Sequence, residues 1–188
     1  MNKIIQNQRR LVMLGFGLSP FVKDGNGNVV GLSSTGILMP TQENPYRMLF
    51  GGVVLTSFDE LSGLLAGLFF RGHALHVSEL VGFHNPVFTG HSVYSVFQVI
   101  DVKLGFALIY GRVYSQPLGV KPVDATAMDK VSYDGYAVCA MVDSETKKII
   151  RESMPILALP DGWISSEILE IGQEYFALQR RLAKAKRL

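Results

Sequence analysis

Across residues 51–71 the apolar positions recur at helical spacing. Val54, Leu55, Phe58, Leu61, Leu65, Leu68 and Phe69 cover so much of the circumference that the helix they predict must be nearly enclosed. A helix of that kind needs a sheet around it. The chain beyond it supplies one, with strand-like runs at 75–83, 92–101, 106–115, 136–142 and 153–159, several of them alternating in polarity and separated by turn residues. Ahead of the helix, 35–39 is a short β-prone run stopped by Pro40, and residues 22–30 surround Asp24-Gly25-Asn26-Gly27, the turn signal of a hairpin. One strand, one long helix and a series of strands predict an α+β domain with an antiparallel sheet wrapped around a central helix.

The flanks divide the chain into an N-terminal hairpin extension at 1–32, the domain at 33–160 and a C-terminal helix at 161–188. Within the domain, 116–134 is the longest stretch without periodicity and carries Pro117, Gly119 and Pro122. It reads as an excursion between two neighbouring antiparallel strands. From Ser165 the tail is an amphipathic helix with Ile168, Ile171, Tyr175, Leu178 and Leu182 on one stripe. Its glutamates come early and Arg180, Arg181, Lys184, Lys186 and Arg187 come late, an order that suits the helix dipole.

Composition narrows the function classes. With 188 residues, 48% of them hydrophobic and 18% charged, the chain is one well-buried domain. A formal charge of +2 gives no reason to expect nucleic acid as a partner. The single Cys139 excludes an intramolecular disulfide and a Cys-rich zinc site, fits a reducing compartment, and reads as a small buried hydrophobe. The apolar run at Leu11–Leu14 is too short, and too soon broken by Gly15 and Gly17, for a signal peptide. Residues 48–70 would be long enough to span a bilayer, but Asp59 and Glu60 at their centre would each cost about 2.5–3.5 kcal/mol there. The expectation is a cytoplasmic protein without a membrane partner.

Candidate chemistry begins with those two acids, the only charges between Arg47 and Arg71. Adjacent helical positions differ by about 100° in direction, so one can face a rim while the other faces something enclosed. An enclosed carboxylate is pushed toward the pKa of a general base. Gly51-Gly52 opens the helix, leaving backbone N–H groups unobstructed at its positive end, where an oxyanion could be held or where the helix could simply pack closely. Asp59 stands eight residues beyond Gly51, about 12 Å along the axis. It cannot serve the start of its own helix, so a site using both requires two antiparallel copies. His73, His76, His84 and His91 form no metal-ligand pattern and read as surface or satisfied side chains. Ser57 and Ser62 sit in no Gly-x-Ser-x-Gly elbow.

Together, Met39-Pro40, Asn44, Phe50-Gly51-Gly52 and Asp59, with the turn Phe83-His84-Asn85-Pro86-Val87-Phe88-Thr89-Gly90, resemble the signature of hotdog-fold acyl-CoA thioesterases of the acyl-CoA hydrolase branch. The likeness covers residues 35 to 160. It implies a hotdog fold, a homodimer sharing two sites or a trimer of dimers, and acyl-CoA as substrate, with no metal or redox cofactor. Asp59 would act as base or nucleophile, Asn44 of the other copy would orient water or substrate, and the Phe50, Gly51 and Gly52 region would bind the carbonyl oxygen. Three departures stand out. Pro45-Tyr46-Arg47-Met48 is bulkier than the family's run, Gly90-His91 replaces a Gly-Asp, and Lys103-Leu104-Gly105-Phe106 replaces a turn near the CoA phosphates, leaving Lys103 as the possible phosphate contact. A non-catalytic acyl-CoA-binding module is the alternative. Dehydration or hydration of acyl thioesters on the same fold would need a histidine beside a carboxylate, and Phe50 stands where the helix start could have carried one.

Overall fold

Asp24 folds the chain back on itself, as its Asp-Gly-Asn-Gly context predicts. Its N–H donates to Asn28 O at 2.9 Å, its side chain accepts from the N–H groups of Asn26 and Asn28, and Gly27 takes the positive φ of 76° that the turn requires. The arms of this hairpin are β2 (Val22–Lys23) and β3 (Val29–Ile37), and β1 (Phe16–Leu18) also pairs with β3. The computed structural model describes residues 16–18, 22–38, 40–119, 131–151, 155–159 and 161–185. Met39, the run at Leu11–Leu14 and the middle of the 116–134 excursion lie outside the described residues.

After the helix α1 (Gly51–Phe70) come β4 (His73–Phe83), β5 (His91–Lys103), β6 (Phe106–Pro117) and β7 (Val131–Val142). The sheet runs β1-β3-β5-β6-β7-β4, every pair antiparallel, with β2 beside β3. The strand that follows α1 thus returns to the far edge of the sheet, and α1 lies against one face. Phe58, Leu65 and Phe69 are fully buried there among Val30, Phe97, Ile109 and Ala137. Phe58 and Phe97 meet edge to face, with ring centroids 4.9 Å apart. Among the described residues α1 alone is long and apolar enough to cross a membrane, but its apolar surface is spent on the sheet, as its encircling pattern requires.

The opposite face carries the second helix, α2 (Ser166–Ala185), whose Tyr175 and Phe176 pack on Ile100, Leu108, Tyr110, Tyr136 and Val138. Two expectations need correction here. The buried face of α2 is rotated from the predicted stripe: Ile168 and Tyr175 pack inward, but Ile171, Leu178 and Leu182 are close to half exposed. The reason is Gly172, where a Cβ would stand 2.8 Å from the Tyr136 ring, so the closest approach falls on the glycine. The run at 153–159 forms no strand over its described part, 155–159. Its alternation is real, since Leu157 and Leu159 pack on the core while Ile156 is exposed. Its backbone, however, is held by the hairpin instead of by a neighbouring strand. Ile156 O accepts from Asn26 Nδ2 and Asn28 Nδ2, and Ala158 N–H donates to Asp24.

Candidate active site

The two sequence segments that carry the motif are strapped together ahead of α1. Leu49 N–H donates to Val87 O at 2.8 Å, Met48 and Phe88 form an antiparallel bridge, and the Thr89 hydroxyl bonds the Glu43 carboxylate. Asn44 sits at the tip of this strap. Its Oδ1 accepts from the N–H groups of Tyr46 and Met48, its own N–H donates to Met48 O at 2.7 Å, and Arg47 takes a positive φ of 59°. The turn therefore uses the oxygen of the Asn44 amide, and its Nδ2 has no partner among the described residues.

Phe50 caps α1 with extended backbone (φ −68°, ψ 129°) and no side-chain bond to the helix. Its ring lies across Gly52, where a Cβ would come within 2.8 Å of it, whereas nothing lies within 4 Å of one at Gly51. Gly52 thus has a packing reason of its own. The N–H groups of both glycines have no acceptor among the described residues, as an uncapped helix start leaves them. Beside this start is a cavity of ≈ 260 Å³ lined by Met48, Leu49, Val54, Phe83, Val87 and Tyr133. Its wall is mainly apolar, with His84 and Asn85 also lining it, and it is smaller than the roughly 300–1,000 Å³ of a typical small-molecule site.

The acidic pair divides as helix geometry demands. Both carboxylate oxygens of Glu60 are shut off from solvent, whereas Asp59, the one the resemblance makes base or nucleophile, projects outward with its side chain 53% exposed. Gly52, Leu55, Thr56 and Asp59 are the exposed residues of α1, a stripe along the side that the chain's own sheet leaves open. Asp59 is not isolated on it: His76 Nδ1, from β4, lies 2.6 Å from Asp59 Oδ1. Sequence reasoning passed over His76, and the signal lay in topology, because β4 returns beside α1 only through the edge position. Ser62 Oγ is 3.4 Å from the same Nδ1, and Glu79 Oε2 is 3.8 Å from Nε2. Burial raises the Glu79 carboxyl above its usual range, with His76 opposing and Asp59 adding to the shift.

Lys103 is not brought to this site within one chain. It pairs with Asp101 at 2.9 Å where β5 turns into β6. Twelve strand steps separate it from His91, at the helix-start end of β5, or roughly 40 Å. Cys139 is buried on β7, and burial pushes its thiol up to about 12. The thiolate, the reactive form, is scarce at neutral pH. The folded protein is accordingly expected to be inert to an aromatic disulfide reagent, with one thiol titrating only after denaturation, as absorbance will show.

No protein-family model and no curated protein sequence matches the chain. Solved structures do. The acyl-CoA hydrolase of Staphylococcus aureus, in complex with butyryl-CoA, CoA and CoA disulfide, superposes with a TM-score of 0.64 at 16% identity, covering 84% of this chain and 88% of that one. An acyl-CoA hydrolase from Bacillus cereus gives 0.64 at 21% identity, covering 84% and 90%. A hexameric acyl-CoA thioesterase gives 0.63 at 19%, covering 84% and 92%. The architecture and these superpositions agree: the chain adopts the hotdog fold, with the long helix against an antiparallel sheet and a C-terminal helix on the other face.

Proposed function

We propose that this protein hydrolyses acyl-CoA thioesters to the free acid and CoA. The observation that carries the reading is the open stripe of α1, whose one charged side chain is Asp59, on a helix whose first two amides have no acceptor among the described residues. In a pair of antiparallel copies, Asp59 of one reaches the helix start of the other. Asn44 Nδ2 then points a free donor toward substrate or water, and the Gly51 and Gly52 amides, behind Phe50, receive the charge that builds on the carbonyl oxygen. As a base, Asp59 takes a proton from water while the water oxygen bonds the carbonyl carbon; the C–S bond breaks and the departing thiolate is reprotonated. As a nucleophile, it forms a mixed anhydride that water cleaves. Either route consumes only water, so no metal or redox cofactor is proposed.

Support also comes from the Staphylococcus aureus hydrolase. Alanine variants of that enzyme have been solved at an asparagine, at an aspartate fifteen residues on, and at a threonine seventeen further. Asn44, Asp59 and His76 stand at the same separations. The hexameric thioesterase among the similar structures suits a dimer or trimer of dimers, and a cytoplasmic location is part of the proposal. Lys103 would meet CoA phosphates only from another copy.

The test is release of free CoA from short, long, aryl and 2-enoyl acyl-CoAs by the native protein and by Asp59→Asn. Hydrolysis that falls about a hundredfold or more in a folded variant supports the reading; each tenfold is about 1.4 kcal/mol of barrier. Binding without turnover would make the protein an acyl-CoA-binding module. A second reading, hydration of 2-enoyl thioesters, is favoured by the imidazole beside Asp59, and would appear as loss of enoyl absorbance without CoA release.

A further inference from the structure

In a regular strand, residues three apart point to opposite sides. In β4 they do not, because the register against β7 steps from His76↔Cys139 to Ser78↔Val138 and leaves Val77 unpaired as a bulge. His76 and Glu79 consequently lie opposite Cys139 and Ala137, both of which face the core beneath α1. The bulge thus aims both side chains at the helix. There, His76 Nδ1 is 2.6 Å from Asp59 Oδ1, and its Nε2 faces Glu79 Oε2 at 3.8 Å. The Ser62 hydroxyl, 3.4 Å from Nδ1, is within 3.1 Å of the backbone oxygen of Asp59. Cys139 completes the surroundings from β7.

We propose that His76 is a positioning residue for Asp59, its Nδ1–H holding Oδ1 so that Oδ2 is the atom presented to the thioester. This rests on the hydrolytic reading above. An ionised carboxylate can only accept, so at 2.6 Å the imidazole nitrogen is the donor. Oδ2 has no partner among the described residues, and the side chain is half exposed, which without an anchor would leave it free to rotate. A reacting group held in one orientation avoids the loss in rate that small misplacements bring. Glu79 flanks the other side of the ring, its Oε2 3.8 Å from Nε2.

The experiment compares kcat and KM for CoA release by the native protein, His76→Ala, His76→Asn, Asp59→Asn and the double variant Asp59→Asn/His76→Ala, with thermal midpoints and oligomer size recorded for each. His76→Ala is expected to lower kcat about tenfold or more while KM stays within about twofold. His76→Asn, whose amide N–H falls near the position of Nδ1, should keep kcat within about threefold of native. The double variant should be no slower than Asp59→Asn alone, since a residue that acts only through Asp59 has nothing left to position. Should His76→Ala fail to fold, His76→Gln takes its place, filling the volume while putting its amide beyond the Nδ1 position. A fully active His76→Ala beside an inactive Asp59→Asn overturns the positioning role alone. So does a loss that falls on KM, a His76→Asn protein no better than His76→Ala, or additive losses in the double variant. An Asp59→Asn protein as fast as native removes Asp59 from the chemistry, and the role of His76 with it, whereas no CoA release by the native protein overturns the hydrolytic reading on which both rest.

Discussion

Gly135→Ala is expected to destabilise the protein by about 3 kcal/mol or more, which for a domain of this size lowers the thermal midpoint by roughly 6–12 °C. Gly135 lies on β7 opposite Val81, and a Cβ there would stand 2.1 Å from Leu80 O and 2.9 Å from Val81 Cα. Both are backbone atoms of a paired strand, so relief requires β4 to move away from β7 and ladder bonds to lengthen. Gly111→Ala is the informative comparison. Its Cβ would meet the rings of Phe97 at 2.5 Å and Phe58 at 2.7 Å, and rings can tilt. The loss at Gly111 should therefore be smaller, and thermal melts of the two variants measured side by side will rank them. Equal midpoints would mean that β4 yields as easily as an aromatic side chain. Because β4 also carries His76, a Gly135→Ala protein that remains folded should lose activity as the Asp59–His76 contact opens.

How much of this could be read beforehand differs from element to element. The helix Gly51–Phe70 was legible almost to the residue, because a segment that is apolar nearly all the way round has no other stable home than inside a sheet. β5 and β6 were legible in their middles, where one face is core. Their ends run further, to His91, Lys103 and Pro117, because backbone pairing continues through polar residues whose side chains give no periodic signal. The same cause hid the start of β7: Tyr133 and Asp134 look like loop residues, but they pair with β4 and β6. At 155–159 the error ran the other way. The alternation was present, but the partners for its backbone were the side chains of Asn26, Asn28 and Asp24, more than a hundred residues away in sequence.

The candidate site divides along similar lines. The tie between the Asn44 turn and the Pro86-Val87 turn was implied by a shared resemblance and is made by three contacts that no single-sequence pattern encodes. Which of Asp59 and Glu60 faces outward depends on the rotation of α1 within its sheet, which alternates of the same apolar spacing would satisfy equally well. His76 was the least legible of all. Its position on the helix side of β4 depends on the edge placement of that strand, and the presence of Glu79 on the same side depends on a bulge that breaks the period of two.

Two inactive variants are expected to restore each other when co-expressed. If Asp59 of one copy works with Asn44 and the Gly51-Gly52 amides of another, a heterodimer of Asp59→Asn and Asn44→Ala chains contains one doubly altered site and one intact site. With random pairing about half the dimers are mixed and each has one working site of two, so the mixture should recover about a quarter of native activity per chain. Each variant alone should remain near one per cent or below for Asp59→Asn, by the hundredfold loss argued above. The structural basis is that Asp59 and Gly51 lie about 12 Å apart along one straight helix, while the stripe bearing Asp59 is open on the side away from the chain's own sheet. Leu75, Leu80 and Phe83 leave apolar surface along β4, the outermost strand beside it, and an edge of that kind tends to acquire another chain. A site confined to one chain predicts the opposite result, since every site in the mixture would then lack either Asp59 or Asn44. Activity of the mixture no greater than the mean of the separate variants would remove the shared site and with it the antiparallel pair.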